Sequence, residues 1–75
     1  MTSLTIHLKA ANNVKDFVNI VSRYPFKAEI KSGKFTVDAA SLLGIFSLDI
    51  SKPLSLEIHS DDCAGLVKEL AAFQI

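Results

Sequence analysis

Hydrophobic and polar residues alternate in four separate stretches of this chain. Leu4, Ile6 and Leu8 are interleaved with Thr5, His7 and Lys9, and Phe26, Ala28 and Ile30 with Lys27, Glu29 and Lys31. Phe35 and Val37 alternate with Lys34, Thr36 and Asp38, and Leu54, Leu56 and Ile58 with Ser55, Glu57 and His59. Successive side chains of a strand point to opposite faces, so each stretch predicts a strand with one apolar and one polar side. Between the strands the period changes. Val14, Phe17, Val18 and Val21 fall at i, i+3, i+4 and i+7, on one face of a helix. Asn12 or Asn13 is the predicted N-cap of that helix. Tyr24-Pro25 is its predicted end, because the residue before a proline is pushed out of the helical region.

Ser32-Gly33 predicts a two-residue hairpin turn between the second and third strands. Ser41 through Leu48 reads as a short apolar helix with Ser41 as its N-cap, and Ser51-Lys52-Pro53 as a loop. Cys63, Leu66, Val67, Leu70 and Phe73 share a face of a last helix capped by Ser60 or Asp61. The order is β-α-β-β-α-β-α. Every strand keeps a polar side, as sheets do when helices cover only one face. The predicted class is therefore α+β, a two-layer open-faced sandwich formed by one domain spanning residues 1–75.

Composition narrows the function. The chain has 75 residues, of which 49% are hydrophobic and 21% charged, too apolar a mix for intrinsic disorder. Eight basic residues balance eight acidic ones. Nucleic-acid binders draw most of their affinity from basic excess, so nucleic acid is not an expected partner. No apolar run approaches a membrane span, and the first residues lack the basic-then-apolar order of a signal peptide. The single cysteine, Cys63, cannot form an intrachain disulfide and reads as a buried small hydrophobe, which favours a reducing, cytoplasmic setting. Asp61-Asp62 reads as a helix start that complements the dipole. No paired-carboxylate site, nucleophile–base pair, glycine-rich phosphate loop or zinc-ligand cluster is visible, so no cofactor and no metal are expected.

The string Val37-Asp38-Ala39-Ala40-Ser41-Leu42-Leu43-Gly44-Ile45-Phe46-Ser47-Leu48 resembles the segment of the histidine-containing phosphocarrier (HPr) family in which a serine caps a short apolar helix. The likeness extends to Phe17-Val18-Asn19-Ile20-Val21-Ser22 before it and Leu54-Ser55-Leu56-Glu57-Ile58 after it. The resemblance implies a four-stranded antiparallel sheet with three helices on one face. It also marks a departure. Phosphocarriers of this family carry Gly-Leu-His-Ala-Arg-Pro between the first strand and first helix, and the His accepts phosphate from enzyme I of the sugar phosphotransferase system. Here the connection reads Lys9-Ala10-Ala11-Asn12-Asn13-Val14-Lys15-Asp16, a few residues shorter, with no His, Arg or Pro. The only histidines, His7 and His59, fall on the polar sheet side. In the family's sheet order the first and last strands are neighbours, so these two imidazoles are candidates to approach each other. As surface side chains they need no further role.

Two features of the resemblance survive the departure. Ser41 matches the serine that a dedicated HPr kinase/phosphorylase modifies in many Gram-positive members, which makes it a candidate regulatory phosphorylation site as well as a cap. In the short helix, Ile45 and Leu48 are assigned to the core. Leu42, Leu43 and Phe46 are left as a partly exposed apolar patch, the kind of surface that marks partner binding. Gly44 is read as permitting close approach of the helix to the sheet. The resemblance thus implies a non-enzymatic HPr-like protein of the phosphotransferase-system family, non-catalytic in phosphotransfer. It would act as a regulatory, protein-interaction module through the Ser41 helix. The partners it implies are enzyme I, HPr kinase/phosphorylase or a catabolite-control regulator, with no membrane or nucleic acid. The alternative is a phosphocarrier that uses a non-standard acceptor residue.

Overall fold

The structure, a computed structural model, describes residues 1–74. Strand β1 (Thr2–Ile6) is followed by helix α1 (Ala11–Ser22), the hairpin of β2 (Ala28–Ser32) and β3 (Phe35–Asp38), and helix α2 (Leu42–Phe46). Then come β4 (Leu54–Ile58), α3 (Ala64–Glu69) and a 3-10 turn over Ala71–Phe73. The four strands form one antiparallel sheet in the order β1-β4-β2-β3. Leu4, Leu56, Ile30 and Val37 stand in one row across it. Because side chains alternate, that row and its second neighbours face the same way. Ile6, Ala28, Ile30, Leu54, Leu56 and Ile58 are buried on this side beneath Val14, Phe17 and Val21 of α1 and Leu66 of α3. Leu70 and Phe73 close the same core, and Phe73 meets Phe17 edge to face at 5.9 Å between ring centroids.

The opposite face of the sheet stays open. Glu57 lies directly opposite Glu29 across β4 and β2, a like-charge pairing that disfavours the register. Two contacts offset it: the Lys31 ammonium lies 2.8 Å from Glu57, and the His59 Nε2 lies at hydrogen-bond distance, 2.7 Å, from the Glu29 carboxylate. The hydrogen bond and charge of Glu57 hold the Lys31 ammonium above its ordinary pKa. Its contribution is therefore present below that ordinary value and fades as pH rises past the folded one. Exposed pairs of this kind add little to stability.

Several boundaries depart from the sequence reading. Helix α1 starts from Ala10, not from Asn12 or Asn13, and has no side-chain cap. Asn13 instead turns back, its Nδ2 donating to the Leu8 carbonyl at 2.6 Å. Strand β1 ends at Ile6, although Leu8 beyond it is still buried. The chain then reverses at Lys9, the one non-glycine residue with positive φ (69°) among those described, where the Ala10 N–H donates to the Leu8 carbonyl. This three-residue turn is too tight for a strand to pass.

The hairpin turn is Gly33-Lys34 rather than Ser32-Gly33, because Ser32 pairs with Phe35. Gly33 supplies the positive φ (59°) such a turn needs at its first central position. The last helix is shorter than its apolar periodicity suggests, and its N-cap is Cys63 rather than Ser60 or Asp61. Those two residues are engaged elsewhere. The Ser60 Oγ accepts from the Asp62 N–H, and Asp61 pairs with the N-terminal ammonium. That ammonium, first by its hydrogen bond and then by its charge, holds the Asp61 carboxyl below the ordinary carboxylate range.

Candidate functional site

Helix α2 is built from a turn that presents Ser41. The Asp38 carboxylate accepts from the Ala40 N–H at 2.9 Å, and the Asp38 carbonyl accepts from the Ser41 N–H at 3.0 Å. The backbone of Ser41 is thereby held extended (φ −100°, ψ 107°), the conformation an N-cap requires. From there its Oγ accepts from the Gly44 N–H at 3.1 Å, and its carbonyl accepts from the Ile45 N–H. At the other end Ser47 closes the helix, its Oγ donating to the Gly44 carbonyl at 2.6 Å. Helix α2 has only five residues, so these end contacts fix it more than its own hydrogen bonds do.

Gly44 sets how deeply α2 sits. A Cβ at this position would lie 3.2 Å from the Val37 Cβ and 3.1 Å from the Ser41 Oγ, tighter than ordinary side-chain packing allows. With glycine there, the helix lies close on β3 and Ile45 and Leu48 enter the core. The outer residues are left in graded exposure. Leu42 is half-buried against the core and lines a groove with Lys15, Val18 and Asn19 of α1. Leu43 is 84% exposed and Phe46 41%. These are two of the large exposed apolar side chains of the described residues, which include Met1 and Phe35 as well. Leu42 and Leu43 therefore follow the capping serine and Phe46 ends the helix, with Leu42 contributing an edge rather than a free side chain.

The two histidines do not meet. Strands β1 and β4 are neighbours, but Ile6 pairs with Leu54 and Thr2 with Ile58, so the antiparallel register sends His7 and His59 to opposite ends. At the usual rise per residue they are separated by about 20 Å. The His7 Nε2 donates to the Ser51 carbonyl at 2.9 Å, and the His59 ring faces Glu29. Beside His7, the Ser51 hydroxyl and then the Ser51 N–H hold the Asp49 carboxyl below its ordinary pKa. Neither ring lies at the start of α1. That start is formed by Lys9, Ala10 and Ala11, with no imidazole among them. Among the described residues, no group of three His, Cys, Asp or Glu side chains is placed to hold a metal ion. Cys63 is buried, with its Sγ 3.3 Å from the Thr2 hydroxyl.

No protein-family model matches the sequence, and no curated protein matches it. Solved structures do. HPr-C-His from Thermoanaerobacter tengcongensis superposes with a TM-score of 0.80 at 26% identity, covering 96% of this chain and 89% of its own. A phosphocarrier protein HPr from Bacillus anthracis str. Ames superposes with a TM-score of 0.74 at 23% identity, covering 99% of this chain and 94% of its own. The open antiparallel sheet, its strand order and the three helices on one face follow the same plan over nearly the whole length. The chain has the fold of the histidine-containing phosphocarriers.

Proposed function

We propose that this chain, read as one HPr-like domain over residues 1–75, is a cytoplasmic, non-enzymatic interaction module that has given up histidine phosphotransfer. The observation that carries this reading is a contrast between two places in one fold. Where the HPr family carries Gly-Leu-His-Ala-Arg-Pro, leading into α1, this chain has Lys9-Ala10-Ala11-Asn12-Asn13, and the one imidazole of the β1–α1 connection, His7, donates its Nε2–H to the Ser51 carbonyl. Where the family docks its partners, a formed Ser41 cap opens a helix that leaves Leu43 and Phe46 exposed. By the resemblance, the partners are enzyme I, HPr kinase/phosphorylase or a catabolite-control regulator.

Two incubations test the proposal. With HPr kinase and ATP, one acid-stable phosphoryl group is expected on Ser41 and none on Ser41→Ala. Such a group brings a charge of about −1.5 to −2 at neutral pH, enough to change what the neighbouring apolar patch can bind. An unmodified wild-type chain would remove the regulatory half of the reading. With enzyme I and phosphoenolpyruvate, no acid-labile phosphate is expected. Its appearance on His7, His59 or any other residue would establish the carrier reading instead. As a structural control, Ser41→Ala loses the bond to the Gly44 N–H and is expected to cost about 1 kcal/mol. It should lower the urea midpoint without changing the slope.

A further inference from the structure

We propose that β3 is a self-pairing edge, through which two copies of this chain join their sheets antiparallel about Thr36. The two edges of the sheet are treated differently. Outside β1 the C-terminal segment is laid down: the His7 N–H donates to the Phe73 carbonyl at 2.8 Å, and Ile6 bridges to Gln74. Strand β3 closes the other edge with no strand outside it among the described residues.

The hydrogen-bond parity of that edge follows from one contact. The Ala39 N–H donates to the Ala28 carbonyl at 3.0 Å, and antiparallel ladders bond at every second residue. Val37 and Phe35 therefore turn their backbone groups inward to β2, while Thr36 turns its N–H and C=O outward to the free edge. Pairing Thr36 with Thr36 of a second copy joins all four of these groups by two hydrogen bonds.

The same register matches every side chain of the edge. Phe35, 70% exposed in the single chain, comes to lie opposite Val37 of the second copy. Lys34, in the turn before the strand, comes beside Asp38 of the second copy, and Asp38 beside its Lys34. Both residues are exposed, and neither has an ion-pair partner among the described residues. The segment Lys34-Phe35-Thr36-Val37-Asp38 is thus self-complementary in charge and in hydrophobicity when read against its own reverse. Edges that avoid pairing often carry a proline or an inward-pointing charge, and residues 34–38 have neither. A strand of four residues buries little area, so the association is weak, with a dissociation constant on the order of 10⁻⁴ M.

Sedimentation of the full chain across concentration tests this. The wild-type mass is expected to climb from 8.2 kDa toward twice that value as concentration passes the dissociation constant. Thr36→Pro removes an outward-facing N–H and none of the bonds to β2, and edge strands tolerate proline, so it should fold and stay at 8.2 kDa throughout. Lys34→Asp places like charges opposite each other in a homodimer, as does Asp38→Lys. Each alone should associate at least about tenfold more weakly than wild type. An equimolar mixture of the two restores both opposite-charge pairs and should associate as wild type does. A wild-type chain that stays at 8.2 kDa at several times the expected dissociation constant overturns the proposal. So does a dimer that survives Thr36→Pro, or a mixture that associates no better than its components.

Discussion

Phe17→Ala is expected to lower the melting temperature by about 12–40 °C. Phe17 is fully buried at the centre of α1, packed over the sheet and edge to face with Phe73. Truncating a buried phenylalanine costs about 3–5 kcal/mol, because transfer energy is lost and the hole left behind collapses only in part. For a chain of this length the whole folding free energy is roughly 4–11 kcal/mol, so one side chain carries a large share of it. In a domain this size each kcal/mol moves the midpoint by about 4–8 °C, which sets the expected range. There is also no second cluster among the described residues to take up the load, since the buried residues of all three helices and of β1, β2 and β4 belong to one core, with Val37 of β3 partly buried against it. Circular dichroism during heating measures the effect. A fall of less than about 5 °C would mean that α1 is not held to the sheet through this ring.

The elements around that ring are legible in the sequence because their signal is local. Leu54, Leu56 and Ile58 alternate with polar neighbours, and all three are buried. Val14, Phe17 and Val21 recur at helical spacing, and they are the buried residues of α1. The Ser41 cap is legible for the same reason: its acceptor and the Gly44 N–H are three residues apart. What the sequence does not carry is anything decided by a distant partner. Asn13 has the right chemistry for an N-cap, yet the Leu8 carbonyl five residues back takes its amide. Asp61 likewise suits the start of α3, but the N-terminal ammonium, brought alongside by the β1–β4 pairing, claims it.

The histidines show the limit most clearly. Alternation and strand order place His7 and His59 on neighbouring strands, and only the register separates them. Register is fixed by the burial of Ile6 against Leu54 and by the departure of the chain at Lys9, neither of which has a motif. The apolar patch of α2 lies between these cases. A helix of this length cannot bury Leu42, Leu43, Ile45, Phe46 and Leu48 together, so exposure of some of them is readable. That Leu42 tucks against α1 while Leu43 stands free depends on how deeply Gly44 lets the helix sink.

That division makes Leu43 the sharpest probe of the proposed docking surface. Leu43→Asp is expected to reduce kcat/KM for Ser41 phosphorylation by HPr kinase at least about 30-fold, the loss typical of an interface hot spot. Its melting temperature should stay within a few degrees of wild type, since exposed substitutions usually change stability by no more than about 0.5 kcal/mol. Phe46→Asp provides the control for helix electrostatics. Leu43 lies in the first turn of α2, where an added carboxylate complements the helix dipole; Phe46 lies at its C-terminal end, where the same charge opposes it. The two variants therefore shift helix stability in opposite directions while removing the same kind of surface. If both lose phosphorylation to a similar degree, the shared cause is the missing apolar contact. If only Phe46→Asp loses activity, and with it several kcal/mol of stability, then Phe46 belongs to the core and the outer face of α2 is not where the kinase binds.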